Sequence, residues 1–219
     1  MFKYEKNPKI IQKHALQAVK DKTDLSHLKL LEKELVQQIL IASGDMTIVD
    51  DIRISEGAIK KAFEAFEEGF DLLCDTDMVA AGINRKYLND DPVCLINKAN
   101  VISQAKSSKL SRSMVAVDLW KPYLADSFVV IGRESTALSR MLELLQECKE
   151  ADCEKNPAMI IAMPVGCSGA SEAKEYLWEH RDEIGIPCIT ILGNRGGSDV
   201  ATMTMNTLLK MYQAKIGNE

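Results

Sequence analysis

Three short stretches concentrate the residues from which chemistry could be built: IGRESTAL (131–138), MPVGCSGASEAK (163–174) and LGNRGGSDVA (192–201). Each runs from an apolar segment through one or more glycines into a helical pattern. A glycine at such a joint lets the backbone turn tightly, or approach another group with no Cβ in the way. Ser135, Ser168 or Ser171, and Ser198 stand where helix N-caps belong. Unpaired N–H groups and the positive end of the helix dipole favour anions at such starts. A plain turn and cap explains any single joint equally well; together the joints suit a broad ligand bearing several carboxylates. A nucleotide fits badly. No G-x-x-x-x-G-K-[ST] occurs, none of the joints spells G-x-G-x-x-G, and Lys174 lies inside a helix, well past its turn.

The other polar candidates carry less. Asp75 and Asp77 flank a strand end, where a turn cap serves as well as a ligand contact. Asp45, Asp50 and Asp51 read as solvated charges without a supporting ligand pattern, so no metal site is expected. Glu172 and Lys174 read as a helix start followed by solvent-facing charges, and His27 and His180 lie in polar helical stretches. Cys74, Cys94, Cys148, Cys153, Cys167 and Cys188 form no C-x-x-C pair, which argues against a zinc site or redox dithiol and for reduced, mostly buried thiols. A cytoplasmic protein is the expectation, with no signal peptide and no membrane-spanning run. The net charge of −5 disfavours nucleic acid as a partner, because phosphate neutralisation needs a basic surface.

Regular elements must position these residues. Ile11, Ala15, Ala18 and Val19 recur at helical spacing, as do Leu28, Leu31, Leu35 and Ile39. Asp24 or Ser26 is placed to cap the second helix, and Gly44 to end it through a left-handed exit. TIVDDIRI (47–54) is a weak strand because its centre is polar. Ile59, Ala62, Phe63 and Phe66 form an amphipathic stripe ending at Gly69. FDLLCD, PVCLIN, SFVVIG, AMIIAMPVG and PCITILG then follow as continuous apolar runs, most of them leading into a helix. Runs apolar on both faces suit buried parallel strands covered by helices. The expected fold is therefore α/β: a three-layer, mainly parallel five-stranded sheet in a single domain over 1–219, with the helical segment 8–43 packed on it. Right-handed crossovers gather Asp75, Gly132, Gly166 and Gly196 on one sheet edge, where open α/β sheets bind ligands.

The blocks LLCDTDMVAAGINR (72–85), SRSMVAVDLW (111–120), FVVIGRESTAL (128–138), MPVGCSGASEAKEYL (163–177) and GNRGGSDVATMTMNTL (193–208), in this order, resemble the signature blocks of the precorrin-8X (cobalt-precorrin-8) methylmutases, or precorrin isomerases. The resemblance spans nearly the whole chain. It implies a flavodoxin-like fold and a homodimer with active sites at the subunit interface. It implies an isomerase that moves a methyl group from ring carbon 11 to ring carbon 12 of precorrin-8X or cobalt-precorrin-8, giving hydrogenobyrinate or cobyrinate in cobalamin biosynthesis. The substrate is a macrocycle fringed with acetate and propionate groups. No separate cofactor is implied; cobalt, where present, arrives inside the substrate.

On this reading Arg112 matches the family's arginine and is expected to hold a substrate carboxylate. Ser43, Gly44, Asp75, Met78, Asn84 and Ser111 are expected to contact the substrate, together with Gly132, Thr136, Gly166, Gly196, Gly197 and Ser198 on the glycine joints. The family's second helix ends in isoleucine-histidine-alanine/threonine-serine/threonine-glycine, its histidine serving as proton donor. Here ILIASGD places Ile41 at that position, leaving His14 as the candidate acid. Ala15 stands where the family tends to have serine, Asn84 where threonine is common, and Arg133 and Glu134 where it is small or apolar. Two other readings stay open: a non-catalytic tetrapyrrole-binding relative that has lost its general acid, and an α/β protein binding a phosphate-bearing ligand at the same edge.

Overall fold

The computed structural model describes residues 2–150 and 155–217. The chain opens with α1 (Pro8–Lys22) and α2 (Leu30–Ser43), which pack on each other. Asn7 caps α1, and Asp24 accepts from the Ser26 N–H in the connection, but the residue before α2 is Lys29. Gly44 ends α2 at φ 64°, the left-handed exit expected of it. A 3₁₀ turn (Met46–Asp51) leads into β1 (Ile52–Ile54), so only the last three residues of TIVDDIRI are strand.

The remaining elements are α3 (Ala58–Glu68), β2 (Leu72–Cys74), α4 (Asp77–Gly82), β3 (Val93–Cys94), α5 (Ala99–Ser108), α6 (Arg112–Asp118) and β4 (Phe128–Ile131). Then come α7 (Ser135–Glu150), β5 (Met159–Ala162), α8 (Ala170–Glu179), the short α9 (Arg181–Ile184), β6 (Cys188–Ile191) and α10 (Ser198–Ile216). Every apolar run named above contains one of the strands β2 to β6.

The sheet order is β1–β6–β5–β4–β2–β3, all parallel except β1, which pairs antiparallel with β6. The sheet thus has six strands, one more than expected. The addition is a three-residue edge strand held by Ile52↔Ile191, Arg53↔Thr190 and Ile54↔Ile189. Among the five parallel strands the spatial order is 2-1-3-4-5, the flavodoxin-like arrangement, whose strand order reverses between its first and third members. Here that switch point lies between β2 and β4.

The sheet is buried on both faces because successive side chains point to opposite sides. Phe128 and Val130 of β4 join Met159, Ile161, Ile189 and Ile191 in a core with α2, α3, α4 and α10. Val129 and Ile131 join Ile160, Ala162 and Cys188 in a second core with α7 and α8. Phe66 stacks on Phe128 at 4.8 Å between ring centroids, tying the amphipathic stripe of α3 to the central strand.

Candidate functional site

Parallel strands send all five strand-to-helix loops to one edge, and the structure brings those loops into contact. The Gly166 N–H donates to the Asn194 carbonyl (3.1 Å), and the Gly197 N–H donates to that of Met163 (2.9 Å). Two of the glycines at this rim, Gly132 and Gly196, serve to pack loop on loop. A Cβ on Gly132 would stand 2.7 Å from Ser198 Cα and 2.8 Å from Val79 Cγ2. One on Gly196, at φ 149°, would enter the Met163 carbonyl group, 2.9 Å from its carbon. Gly166 has more room, its nearest neighbours lying 3.9 Å away or beyond.

The helix starts differ from the capping expected. Gly169 precedes α8 and Gly197 precedes α10, neither with a side-chain cap, while Ser135 and Ser198 are the first residues of their helices. Ser171 lies within α8 and its hydroxyl donates to Glu175 Oε1 (2.7 Å). The Ser198 hydroxyl is buried and has no hydrogen-bond partner among the described residues.

At the switch point Asp75 is buried, and its Oδ2 accepts from the backbone N–H groups of Arg133 and Glu134, both at 2.8 Å. Burial raises its pKa against the opposing pull of those bonds. Asp75 therefore fixes the β4–α7 loop from inside. Beside it, Cys74 and Cys94 are register partners; burial pushes both thiols up, Cys94 to about 12, so neither supplies a thiolate.

Two groups of polar side chains meet on the β2–β3–β4 side. The Ser111 hydroxyl donates to Thr136 Oγ1 (2.9 Å), and Ser113 Oγ lies 2.7 Å from the same atom and 3.0 Å from Ser111 Oγ. Ser111 also caps α6 by accepting from the Met114 N–H. The Arg112 guanidinium donates to Asn97 Oδ1 at 2.7 Å, and the Asn97 amide in turn donates to Asp77 Oδ2. Arg112 and Arg133 are both exposed, and among the described residues neither forms an ion pair. Met78 is 64% exposed at the start of α4, and Val165 of the β5–α8 loop is 39% exposed. The rim thus offers two unneutralised guanidinium groups, hydroxyls and exposed apolar side chains, a set that could hold the acidic fringe and the face of a large ring.

On the β6 side Ser43 spends its hydroxyl locally: it donates to the Leu40 carbonyl (3.0 Å) and accepts from the Asp45 N–H (3.1 Å). Ile41 is half-buried and packs against the larger core. The nearby connection is bolted to the β6–α10 loop by Arg195, which donates to Asp45 Oδ2 (2.9 Å), Asp51 Oδ2 (2.8 Å) and the Thr47 hydroxyl.

Lys174, expected to face solvent, is fully buried and donates to the Arg195 carbonyl at 2.6 Å. Burial pulls its pKa down to about 8, partly opposed by the charges of Asp51 and Glu175. The reason is its position: Ala170, Ala173, Lys174 and Leu177 are the buried residues of α8 and form one i, i+3, i+4, i+7 stripe. That stripe is visible in the sequence and could have found Lys174; Arg195, Asn97 and Ser113 carry no comparable local signal.

Two further expected residues lie on other elements. His14 is exposed on α1 and makes no hydrogen bond or ion pair among the described residues. Asn84 caps the 3₁₀ turn Arg85–Tyr87, and its N–H donates to Asn206 Oδ1 (2.8 Å). Asn206 lies eight residues into α10, roughly 12 Å from the rim at 1.5 Å per residue. Asn84 instead lines a separate hollow of about 160 Å³ with Tyr87, Gln38 and Asn206. Among the described residues no three His, Cys, Asp or Glu side chains are grouped to hold a metal ion, and no helix is long and apolar enough to cross a membrane. Cys153 lies outside the described residues.

A model of the precorrin-8X methylmutase family matches residues 10–211. The precorrin-8X methylmutase of Pseudomonas aeruginosa is 34% identical over 210 residues, 95% of this chain and 98% of that protein. That of a Sinorhizobium species is 30% identical, covering 95% and 97%. The cobalt-precorrin-8 methylmutase of Leptospira interrogans is 30% identical, covering 81% and 82%. A solved structure of a precorrin-8X methylmutase related protein superposes with a TM-score of 0.77 at 28% identity, over 90% of this chain and 99% of that one. The precorrin-8X methylmutase of Thermus thermophilus has the same fold, with a TM-score of 0.79 over 94% and 98% of the two chains at 24% identity. With the matched region running from α1 into α10, the chain belongs to the precorrin-8X methylmutase family.

Proposed function

We propose that the chain is an isomerase that moves the methyl group of precorrin-8X or cobalt-precorrin-8 from ring carbon 11 to ring carbon 12, in cobalamin biosynthesis. The family match over residues 10–211 carries this reading. The rim supports it, with exposed Arg112 and Arg133 near the switch point and no carboxylate neutralising either among the described residues. Arg112, oriented by Asn97, anchors one peripheral carboxylate of the macrocycle, and Arg133 a second. Thr136 Oγ1, which accepts from Ser111, keeps its own O–H to donate to a polar substrate group, and Met78 packs against the ring.

The reaction conserves every atom of the substrate, so no oxidant or second substrate is needed. Catalysis consists mainly of holding the migrating methyl and its acceptor carbon in line. No separate cofactor enters this reading, and cobalt, where present, belongs to the substrate. A homodimer is part of it, supported by exposed apolar side chains of the first helices, Ile10, Ile11, Leu30 and Leu31. A cytoplasmic location is supported by the unpaired thiols of Cys74, Cys94, Cys167 and Cys188.

The test is a spectroscopic titration with hydrogenobyrinate, followed by turnover of precorrin-8X watched through the absorbance of the product. Saturable binding with turnover is expected. Binding without turnover would identify a tetrapyrrole binder, and stabilisation by nucleotides or flavin in place of the corrinoid would overturn both readings.

A further inference from the structure

The β6–α10 loop carries a polar assembly outside the proposed substrate contacts. Arg195 reaches from this loop to Asp45 and Asp51, partners 150 and 144 residues away in sequence, and to the Thr47 hydroxyl. Asp45 caps the 3₁₀ turn through the Thr47 N–H (2.9 Å) and accepts the Thr47 hydroxyl at 2.6 Å. The Leu192 N–H donates to the Asp51 carbonyl (2.9 Å), extending the β1–β6 ladder to the same turn. From beneath, the buried Lys174 ammonium holds the Arg195 carbonyl. Two cations and two carboxylates thus meet where the end of α2 approaches the glycine loop. A guanidinium suits this place because its planar fork can engage separate carboxylates at once, which a single ammonium does less well.

Residues 41–44 end α2 immediately before the braced turn. Gly196 and Gly197 follow Arg195 directly. A shift of either segment changes the width of the rim without removing any group that touches substrate.

We propose that Arg195, seated by Lys174, is a positioning residue of the methylmutase reaction: it locks the turn that follows α2 against the glycine loop and so fixes the cradle in which the macrocycle is aligned. The role rests on the methylmutase reading. Neither side chain takes part in bond making; both act through backbone placement, where about 1 Å of misplacement costs up to about 10²-fold in rate.

The test compares the full chain with Arg195→Met, Arg195→Lys and Lys174→Met in two measurements. Amide hydrogen exchange on the ligand-free protein reads the brace: Arg195→Met should speed exchange at residues 43–48 about tenfold or more, leaving β4 and β5 unchanged. Turnover of precorrin-8X reads the function: kcat should fall about 10- to 100-fold with KM altered less than about threefold, and Arg195→Lys should recover part of the loss. Unchanged exchange at 43–48 overturns the brace, whatever the activity. Faster exchange with unaltered kcat in an active protein overturns the positioning role. A wild-type chain with no turnover overturns the methylmutase reading and the catalytic role together, while the exchange data separately report the brace.

Discussion

Replacing Gly196 by alanine puts the rim packing to its most direct test. The added methyl would enter the Met163 carbonyl group, 2.9 Å from its carbon and 3.3 Å from the Pro164 oxygen, and these are backbone atoms that cannot swing aside. The φ of 149° is itself strained for any residue with a Cβ, costing on the order of 1–3 kcal/mol. Overpacking against fixed backbone adds about 1–3 kcal/mol. Relaxing the clash by moving the loop would break the Gly197 N–H to Met163 carbonyl bond, worth about 1 kcal/mol. A loss of roughly 4 kcal/mol follows, near the upper end for single substitutions. For a chain of this size it corresponds to a fall in Tm of about 10 °C. Gly44→Ala is the control: φ is also positive, at 64°, but no atom lies within 4 Å of the new Cβ, so only about 1–2 kcal/mol is at stake. Urea and thermal unfolding of both variants measure the difference. Equal losses in the two proteins, or a Gly196→Ala loss below about 1 kcal/mol, would refute the view that this glycine exists for loop-on-loop contact.

Ile41→His should raise turnover of precorrin-8X by about 10²–10⁴-fold if a positioned acid at the end of α2 assists the methyl shift, measured by initial rates near neutral pH; no gain in a folded variant counts against that role. Arg112→Ala should weaken corrinoid binding about 10- to 100-fold through loss of a charge-assisted hydrogen bond, with Asn97→Ala losing less, both read by spectroscopic titration. The Lys174 effect on stability has a defined sign. Its pKa of about 8 in the folded protein lies below the ordinary 10.5, so from pH 8 to 10.5 the unfolded chain binds more protons and the folded state gains stability as pH rises. Denaturant unfolding at pH 7.5 and 10 should therefore narrow, by about 1–3 kcal/mol, any stability advantage of Lys174→Met over the wild type.

The five parallel strands could be read from sequence because each is a continuous apolar run, and burial on two faces leaves no other economical arrangement for such runs. Gly44 was legible for a local reason, the left-handed φ at a helix end. β1 was only half legible: its central Arg53 breaks the pattern, and its pairing partner lies on β6, far along the chain. Lys174 reads as solvent-facing by residue type, whereas its place in the α8 stripe buries it. The serines beside the glycines suggest caps, but Gly169 and Gly197 take the positions before the helices because they adopt the positive φ the turns require. Arg195 and Asn97 draw their meaning from tertiary partners, which no local window contains.

The inward-facing Asp75 has a consequence for selectivity. Folds with this strand order commonly seat a phosphate on the free amides at their switch point. Here an internal carboxylate already occupies two amides of the β4–α7 loop, so those two are not free to hold a phosphate. A nucleotide phosphate would have to find its amides on another loop of the rim. In the proposed mode of binding the affinity comes instead from Arg112 and Arg133, an arrangement that suits a wide molecule with spaced acids better than a compact one with clustered charge.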